Sequence, residues 1–217
     1  MFDAEVAELT ADTMPLRPVR MRAGVYIKVK RGLDILAALA LLPLAALTAV
    51  VLLVLNPLFN KGPLIYRQIR MGRHCRPFTA YKFRSMVEMP ENDRGAWDAL
   101  EEHRITLLGC VIRKLRLDEL PQALNILKGD MSLVGPRPDY IDHARVYLAE
   151  IPEYRVRYSV RPGVTGLAQT EVGYVSDLAG FRRKVAADLI YIRNMSFVYD
   201  LKVLLRTVLI VLGRRGR

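Results

Sequence analysis

Ile35 to Leu55 is a run of 21 residues without a charge, and it constrains this chain more than any other stretch. As a helix it rises about 30 Å, the thickness of a bilayer's hydrocarbon core. A helix apolar on every side for about five turns belongs in lipid rather than in a protein core. The run starts too far from Met1, and is too long, for an ordinary signal peptide. Pro43 sits near its first third, where it removes a backbone hydrogen bond and bends the helix. Both flanks are basic: Lys28, Lys30 and Arg31 before, and Lys61, Arg67, Arg70, Arg73 and Arg76 after. The positive-inside rule keeps both ends on the cytoplasmic side. A bent helix that enters and leaves by one face satisfies length, proline and charge together. The expected organisation is therefore a flexible tail over 1–22, a re-entrant membrane helix over 23–59 broken near Pro43, and a cytosolic domain over 60–217.

A chain of 217 residues is one domain with an appendage, long enough to bury a sizeable core. Its formal charge of +11 selects anionic partners: nucleic acid, an anionic membrane face or phosphorylated substrates. No zinc-finger or RNP-type motif is present, so nucleic acid is not expected. Cys75 and Cys110 have no framework or metal spacing and read as packing residues of a reducing compartment. His74, His103 and His143 are scattered and read as surface residues.

The stretch Gly109 to Pro138, GCVIRKLRLDELPQALNILKGDMSLVGPRP, carries the candidate chemistry. Asp118 and Glu119 stand side by side ahead of Pro121. Asp is a good N-cap and proline is tolerated in a first turn, so a helix is predicted to start at Asp118. Leu117, Leu120, Leu124 and Leu127 recur at helical spacing as its apolar face. The helix dipole then favours ionised Asp118. Arg113, Lys114 and Arg116 precede the pair, and Arg137 follows between two prolines that stiffen the backbone. A carboxylate ringed by fixed cations suits chemistry on a phosphate: it can attack or hold a metal while arginines neutralise phosphate oxygens. Read singly, Asp118 is an ordinary helix cap and Arg137 an ordinary surface arginine.

Around this block the pattern predicts a helix-rich α/β (α+β) domain with short strands. Leu64 to Tyr66 and Phe78 to Phe83 read as a hairpin. Lys82 and Arg84 alternate with aromatics, so both are expected on one face. Glu88 to Glu102 reads as a mobile loop or exposed helix near the site. Met131 to Val134 reads as a short buried strand, Pro162-Gly163 as a turn, and Tyr140 to Glu150 as a helix. Ser176 is predicted to cap a helix through Asn194. Leu201 to Leu212 is amphipathic, suited either to an interface or to core packing.

Leu117 to Pro138 resembles the signature of the bacterial sugar transferases, the small monotopic polyprenyl-phosphate phosphoglycosyl transferases. Tyr66-Arg67-Gln68, Arg70 and Gly72, then Tyr81 to Met86, and Arg161 to Gln169 (RPGVTGLAQ) extend the likeness, as does the pair Asp188 and Tyr191. It covers roughly Lys30 to Leu212. The resemblance implies transfer of a sugar-1-phosphate from a UDP-sugar to undecaprenyl phosphate with release of UMP, on the cytosolic face of a bacterial inner membrane. That reaction opens exopolysaccharide, O-antigen or glycoconjugate synthesis. In family terms Asp118 is the nucleophile, and Asp118 and Glu119 hold Mg²⁺. Arg113, Arg137, Lys82 and Arg84 meet phosphate, and Arg161, Gln169 and Asp188 are further substrate contacts. The likeness leaves room for a homodimer. One departure stands out: many members continue after Gln169 with Asn-Gly-Arg, whereas this chain has Thr170-Glu171-Val172-Gly173-Tyr174. Arg182 or Arg183 could stand in for that arginine. Two other classes remain open, a membrane-anchored nucleotide-sugar phosphodiesterase and a non-enzymatic basic membrane-anchored binding protein. Full-rate UMP release without lipid marks the first, and steeply salt-sensitive DNA binding without turnover marks the second.

Overall fold

The computed structural model describes residues 24–87, 95–98, 101–173, 175 and 177–213, so the expected tail and most of the Glu88 to Glu102 loop lie outside the described residues. In chain order the elements are α1 (Val25–Phe59), β1 (Ile65–Met71), β2 (Pro77–Phe83), α2 (Leu107–Lys114), α3 (Gln122–Lys128), β3 (Ser132–Val134), α4 (Ile141–Glu150), β4 (Gly163–Thr165), α5 (Leu167–Glu171), α6 (Leu178–Asn194) and α7 (Phe197–Leu212). A single turn of tight helix at Leu117–Glu119 and an eight-residue stretch of it over Pro152–Ser159 join them. The fold is helix-rich with few short strands, as expected. β1 and β2 form an antiparallel hairpin with Tyr66 opposite Lys82. β3 and β4 pair in parallel, Ser132 with Gly163 and Val134 with Thr165. The second pair was only half legible, since Pro162-Gly163 reads as a turn.

α1 is a single helix of 35 residues, about 52 Å long at the standard rise. The expected break at Pro43 is not a break in the helix, which continues through both Pro43 and Pro57. One turn beyond Pro43, Thr48 Oγ1 donates to the Leu44 carbonyl at 2.8 Å. One stripe is buried, formed by Asp34, Ala38, Thr48, Leu52 and Asn56, while Leu36, Leu47, Val54 and Leu58 are exposed. Ala38 packs with Ala123, Ile126 and Met131; Leu52 packs with Phe83 and Ile112.

Polar contacts fasten both ends of α1. Near its start Tyr26 Oη and Lys30 Nζ donate to Asp200 at 2.8 and 2.9 Å. The Asp34 carboxylate accepts from Ser132 Oγ and from the Leu133 amide. At its end Asn60 Nδ2 donates to the Arg84 carbonyl, and Arg84 returns bonds to the carbonyls of Asn60 and Pro63.

The main core is aromatic, with Tyr147, Tyr154, Tyr158, Phe181 and Tyr191 buried together under α4 and α6. Ser176 lies outside the described residues, and α6 is capped by Asp177, whose side chain accepts from the Gly180 amide. Along α7, Val203 is fully buried, whereas Leu201, Leu205, Val208 and Leu209 are more than half exposed. The stripe expected on α7 therefore faces outward. Cys110 is exposed rather than packed, and Cys75 is half-buried at the core's edge.

Candidate active site

Three short segments converge on Asp118 and Glu119. The first is α2, capped by the Thr106 side chain on the Gly109 amide. A Cβ on Gly109 would lie 1.9 Å from the Ser85 carbonyl oxygen, so only glycine lets α2 press against the end of the hairpin. Arg116 then adopts a left-handed backbone (φ 56°), which turns the next residues inward. A non-glycine residue held there is strained by about 1–3 kcal/mol, a feature common at functional sites. The predicted helix start is corrected: Asp118 and Glu119 lie in the turn Leu117–Glu119, and α3 begins at Gln122 after an N-cap at Pro121. Asp118 caps nothing. The predicted apolar face shifts as well, because Leu124 is exposed and Ala123 and Ile126 are buried.

The second segment is the hairpin. The fully buried Asn125 of α3 locks onto its edge, donating Nδ2 to the Thr79 carbonyl and accepting from the Tyr81 amide. This amide clamp sets the register of α3 on β2 and places Lys82 against Glu119. The third is the loop after β3. Added Cβ atoms on Gly135, Gly163 and Gly166 would all collide with backbone, so three glycines permit the close main-chain contact beneath Arg137.

Asp118 and Glu119 are buried, with 6 and 7% of their surfaces exposed. Lys82 Nζ donates to Glu119 Oε1 at 2.9 Å, and Arg137 Nη2 donates to the same oxygen at 2.5 Å. Burial pushes the Glu119 carboxyl up, but Arg137 and Lys82 outweigh it and hold it well below the usual range. Asp118 behaves oppositely. Burial and its charged neighbour Glu119 raise it, against the pull of Lys82, Arg113 and Arg137, and its Oδ1 is buried without a hydrogen-bond partner. Two adjacent carboxylates are thus driven apart by their surroundings. Burial lowers the Lys82 ammonium to about 8 despite Glu119.

The predicted site residues separate into two groups. Asp118, Glu119, Lys82, Arg113 and Arg137 come together; Arg113 also donates to Met86 Sδ at 3.4 Å. Gln169 lies beside Arg137: both donate to the Val164 carbonyl, and Gln169 Oε1 is buried without a partner. Arg84, Asp188 and Arg161 do not join. β2 ends at Phe83, so the strand alternation does not reach Arg84, which is buried on backbone carbonyls at the end of α1. Asp188 is fully buried and paired with Arg157 Nε at 2.7 Å. Arg161 braces the turn after α3 through the Gly129 carbonyl. Arg182 and Arg183 are exposed on α6. In the Thr170 to Tyr174 segment, Glu171 is taken by Arg206 of α7.

Arg70 belongs to the site, although its role was not read from the sequence. Its Nη1 donates to the Pro138 carbonyl at 2.6 Å, and burial and Arg137 lower its guanidinium to about 10. The hairpin register held the signal, because Tyr66, Gln68 and Arg70 share the face of Lys82.

Residues 25–214 match the bacterial sugar transferase family. The chain belongs to that family. It is 42% identical over 192 residues to a UDP-N-acetylgalactosamine-undecaprenyl-phosphate N-acetylgalactosaminephosphotransferase of Aeromonas hydrophila, covering 88% of this chain and 45% of that protein. It is also 42% identical to a UDP-glucose:undecaprenyl-phosphate glucose-1-phosphate transferase of Caulobacter vibrioides, over 82% of this chain and 68% of the relative. An exopolysaccharide production protein of Rhizobium leguminosarum bv. phaseoli is 39% identical, over 85% of this chain and 96% of its own length. The chain thus spans less than half of the Aeromonas relative and nearly all of the Rhizobium one.

Its carboxylate pair fits a divalent ion. Glu119 Oε1 already takes two cations, which leaves the unpartnered Asp118 Oδ1 and the second Glu119 oxygen. Among the described residues no third His, Cys, Asp or Glu completes a cage. Two carboxylate ligands suit Mg²⁺, which keeps waters and substrate phosphates in its remaining positions.

Proposed function

We propose that this protein is a membrane-associated phosphoglycosyl transferase that moves a sugar-1-phosphate from a UDP-sugar to undecaprenyl phosphate. The observation that carries the reading is Asp118: a buried carboxylate with an unpartnered oxygen, next to Lys82, Arg113 and Arg137. Asp118 attacks the β-phosphorus, the bond from that phosphorus to the bridging oxygen breaks, and UMP leaves with the electron pair. A lipid phosphate oxygen then attacks the same phosphorus, and the carboxylate of Asp118 departs. Charge balances in both steps without net proton transfer. Lys82 and Arg137 neutralise the equatorial oxygens, and Arg113 adds a further positive charge close to Asp118. Mg²⁺ on Asp118 and Glu119 would neutralise charge developing on the diphosphate.

The same reading includes a re-entrant α1 at the cytosolic face of the inner membrane. Its support is that Tyr26 and Lys30 near one end, and Asn60 at the other, are fastened to the same polar domain. Fastening both ends to one polar domain supports a helix whose ends lie on the same side of the bilayer. The outward apolar stripe of α7 suits the interface.

The test is UMP release from a panel of UDP-sugars, with and without undecaprenyl phosphate. Labelled sugar should accumulate on Asp118 when lipid is withheld. Release at full rate without lipid would assign a phosphodiesterase instead.

A further inference from the structure

A second cationic pocket lies at the opposite end of α3 from the carboxylate pair. α3 is seven residues long, about 10 Å, so the two sites are separate. Lys30, Arg31, Arg73 and Arg161 line the pocket with a single carboxylate, Asp34. Asp34 is already committed to Ser132 and the Leu133 amide. Lys30 is committed to Asp200.

The three arginines are arranged differently. Each spends one N–H on a backbone carbonyl: Arg31 on Leu127, Arg73 on Ser159 and Arg161 on Gly129. Two of those carbonyls belong to the C-terminal end of α3, whose dipole favours cations. Among the described residues, no carboxylate forms a salt bridge with Arg31, Arg73 or Arg161. Arg31 Nη1 is enclosed without any partner. Three guanidiniums held by neutral anchors around one cleft lack a counter-charge, and an anion with several acceptor oxygens would supply it.

The surroundings identify the anion's carrier. The rest of the lining is mostly apolar, with Ile27, Val134, Val160 and Met195 beside Ser132 and Tyr191, whose hydroxyls are taken by Asp34 and Asp200. Beside it Val25, Phe197 and Val198 are exposed, and Phe197 packs edge-on against Tyr26. Arg31 stands on α1 only four residues before the uncharged run begins at Ile35.

We propose that this pocket binds the headgroup phosphate of an anionic phospholipid from the bilayer that α1 enters. The inference rests on the membrane reading of α1 and is independent of sugar transfer. The bound lipid's phosphate lies among Arg31, Arg73 and Arg161, and its chains run along Ile27, Met195 and Phe197. Occupancy fastens the start of α1 to the C-terminal end of α3, and so couples the membrane to the element that follows the catalytic pair.

The test uses the full chain in neutral detergent with dihexanoyl-phosphatidylglycerol, dihexanoyl-phosphatidylcholine and inorganic phosphate as probes, and reads binding rather than turnover. Saturable phosphatidylglycerol binding is expected, weaker by about tenfold in Arg31→Gln and in Arg73→Gln, with phosphatidylcholine and free phosphate both weaker on the wild type. Equal affinity of variants and wild type, or of the two lipids, would overturn the proposal. So would phosphate binding as tightly as the lipid, which would make this a site for a free anion. If the variants do not fold, a photoactivatable phosphatidylglycerol in wild-type nanodiscs decides. Adducts on peptides carrying Ile27 or Met195 support the site, and adducts found only elsewhere sink it. UMP-release assays play no part, so this proposal can fail while the transferase reading stands.

Discussion

Arg157 holds the main chain of Arg137: its Nη2 donates to the Arg137 carbonyl at 3.0 Å. The same fully buried guanidinium donates to Asp188 at 2.7 Å and to Asp139 at 2.6 Å, and it stacks over Tyr154. Every arm is used to fix the backbone that presents Arg137 to Glu119. Replacing Arg157 by Met leaves Asp188 buried without its counter-ion. Chemical denaturation should show a loss of about 3–5 kcal/mol. Arg157→Lys, which keeps the charge without the planar fork, should lose less stability but still misplace Arg137.

Asp118→Asn and Glu119→Gln should change stability in opposite directions at neutral pH. Asp118 has a raised folded pKa, so its stabilising contribution is present below the ordinary carboxylate range and is lost as pH rises through the folded value. Glu119 has a lowered folded pKa, so its contribution is present above the ordinary range and is lost as pH falls through the folded value. Differential scanning calorimetry at pH 7 should show Asp118→Asn melting higher than wild type and Glu119→Gln melting lower. Both should lose turnover, Asp118→Asn by about a thousandfold or more. Near-normal turnover in Asp118→Asn would exclude the covalent route.

Lys82 predicts a pH profile. Its ammonium is lowered to about 8 by burial, so it loses its proton above that pH, and phosphate neutralisation weakens. UMP release should fall as pH rises through about 8, and Lys82→Arg should shift that limb to higher pH. Folding stability should move the other way. Between about 8 and the ordinary 10.5 the unfolded chain binds the extra proton, so stability rises with pH there. An unchanged profile in Lys82→Arg would remove Lys82 from the site.

Topology can be read with single cysteines at Lys28 and Lys61, in a background with Cys75 and Cys110 replaced. Both positions are exposed, unlike the neighbouring Asn60, which is 2% exposed and bonded to Arg84. With a re-entrant α1, neither cysteine should react with an impermeant reagent added outside sealed cells. Labelling of Lys28→Cys from outside would instead make α1 a helix that spans the bilayer.

Much of this protein was determined by local pattern. The uncharged run dictates a long apolar helix, because charge and length alone decide whether such a segment can enter lipid. Alternation marked the hairpin, and the Asp118-Glu119 pair with its neighbouring cations marked the candidate site. Tertiary structure decided which predicted residues meet. Lys82 and Arg84 are two residues apart, yet only Lys82 faces Glu119; the strand stops between them, and Arg84 turns back to the end of α1. Asp118 was expected as an ionised helix cap, and packing instead placed it in a turn four residues before α3, where desolvation raises its pKa. Asn125, Arg157 and Asp34 carry no local signal, because the partners that fix the site and α1 lie between 18 and 99 residues away in the chain. Such contacts exist only once the chain has closed long loops, so periodicity within a short window cannot contain them.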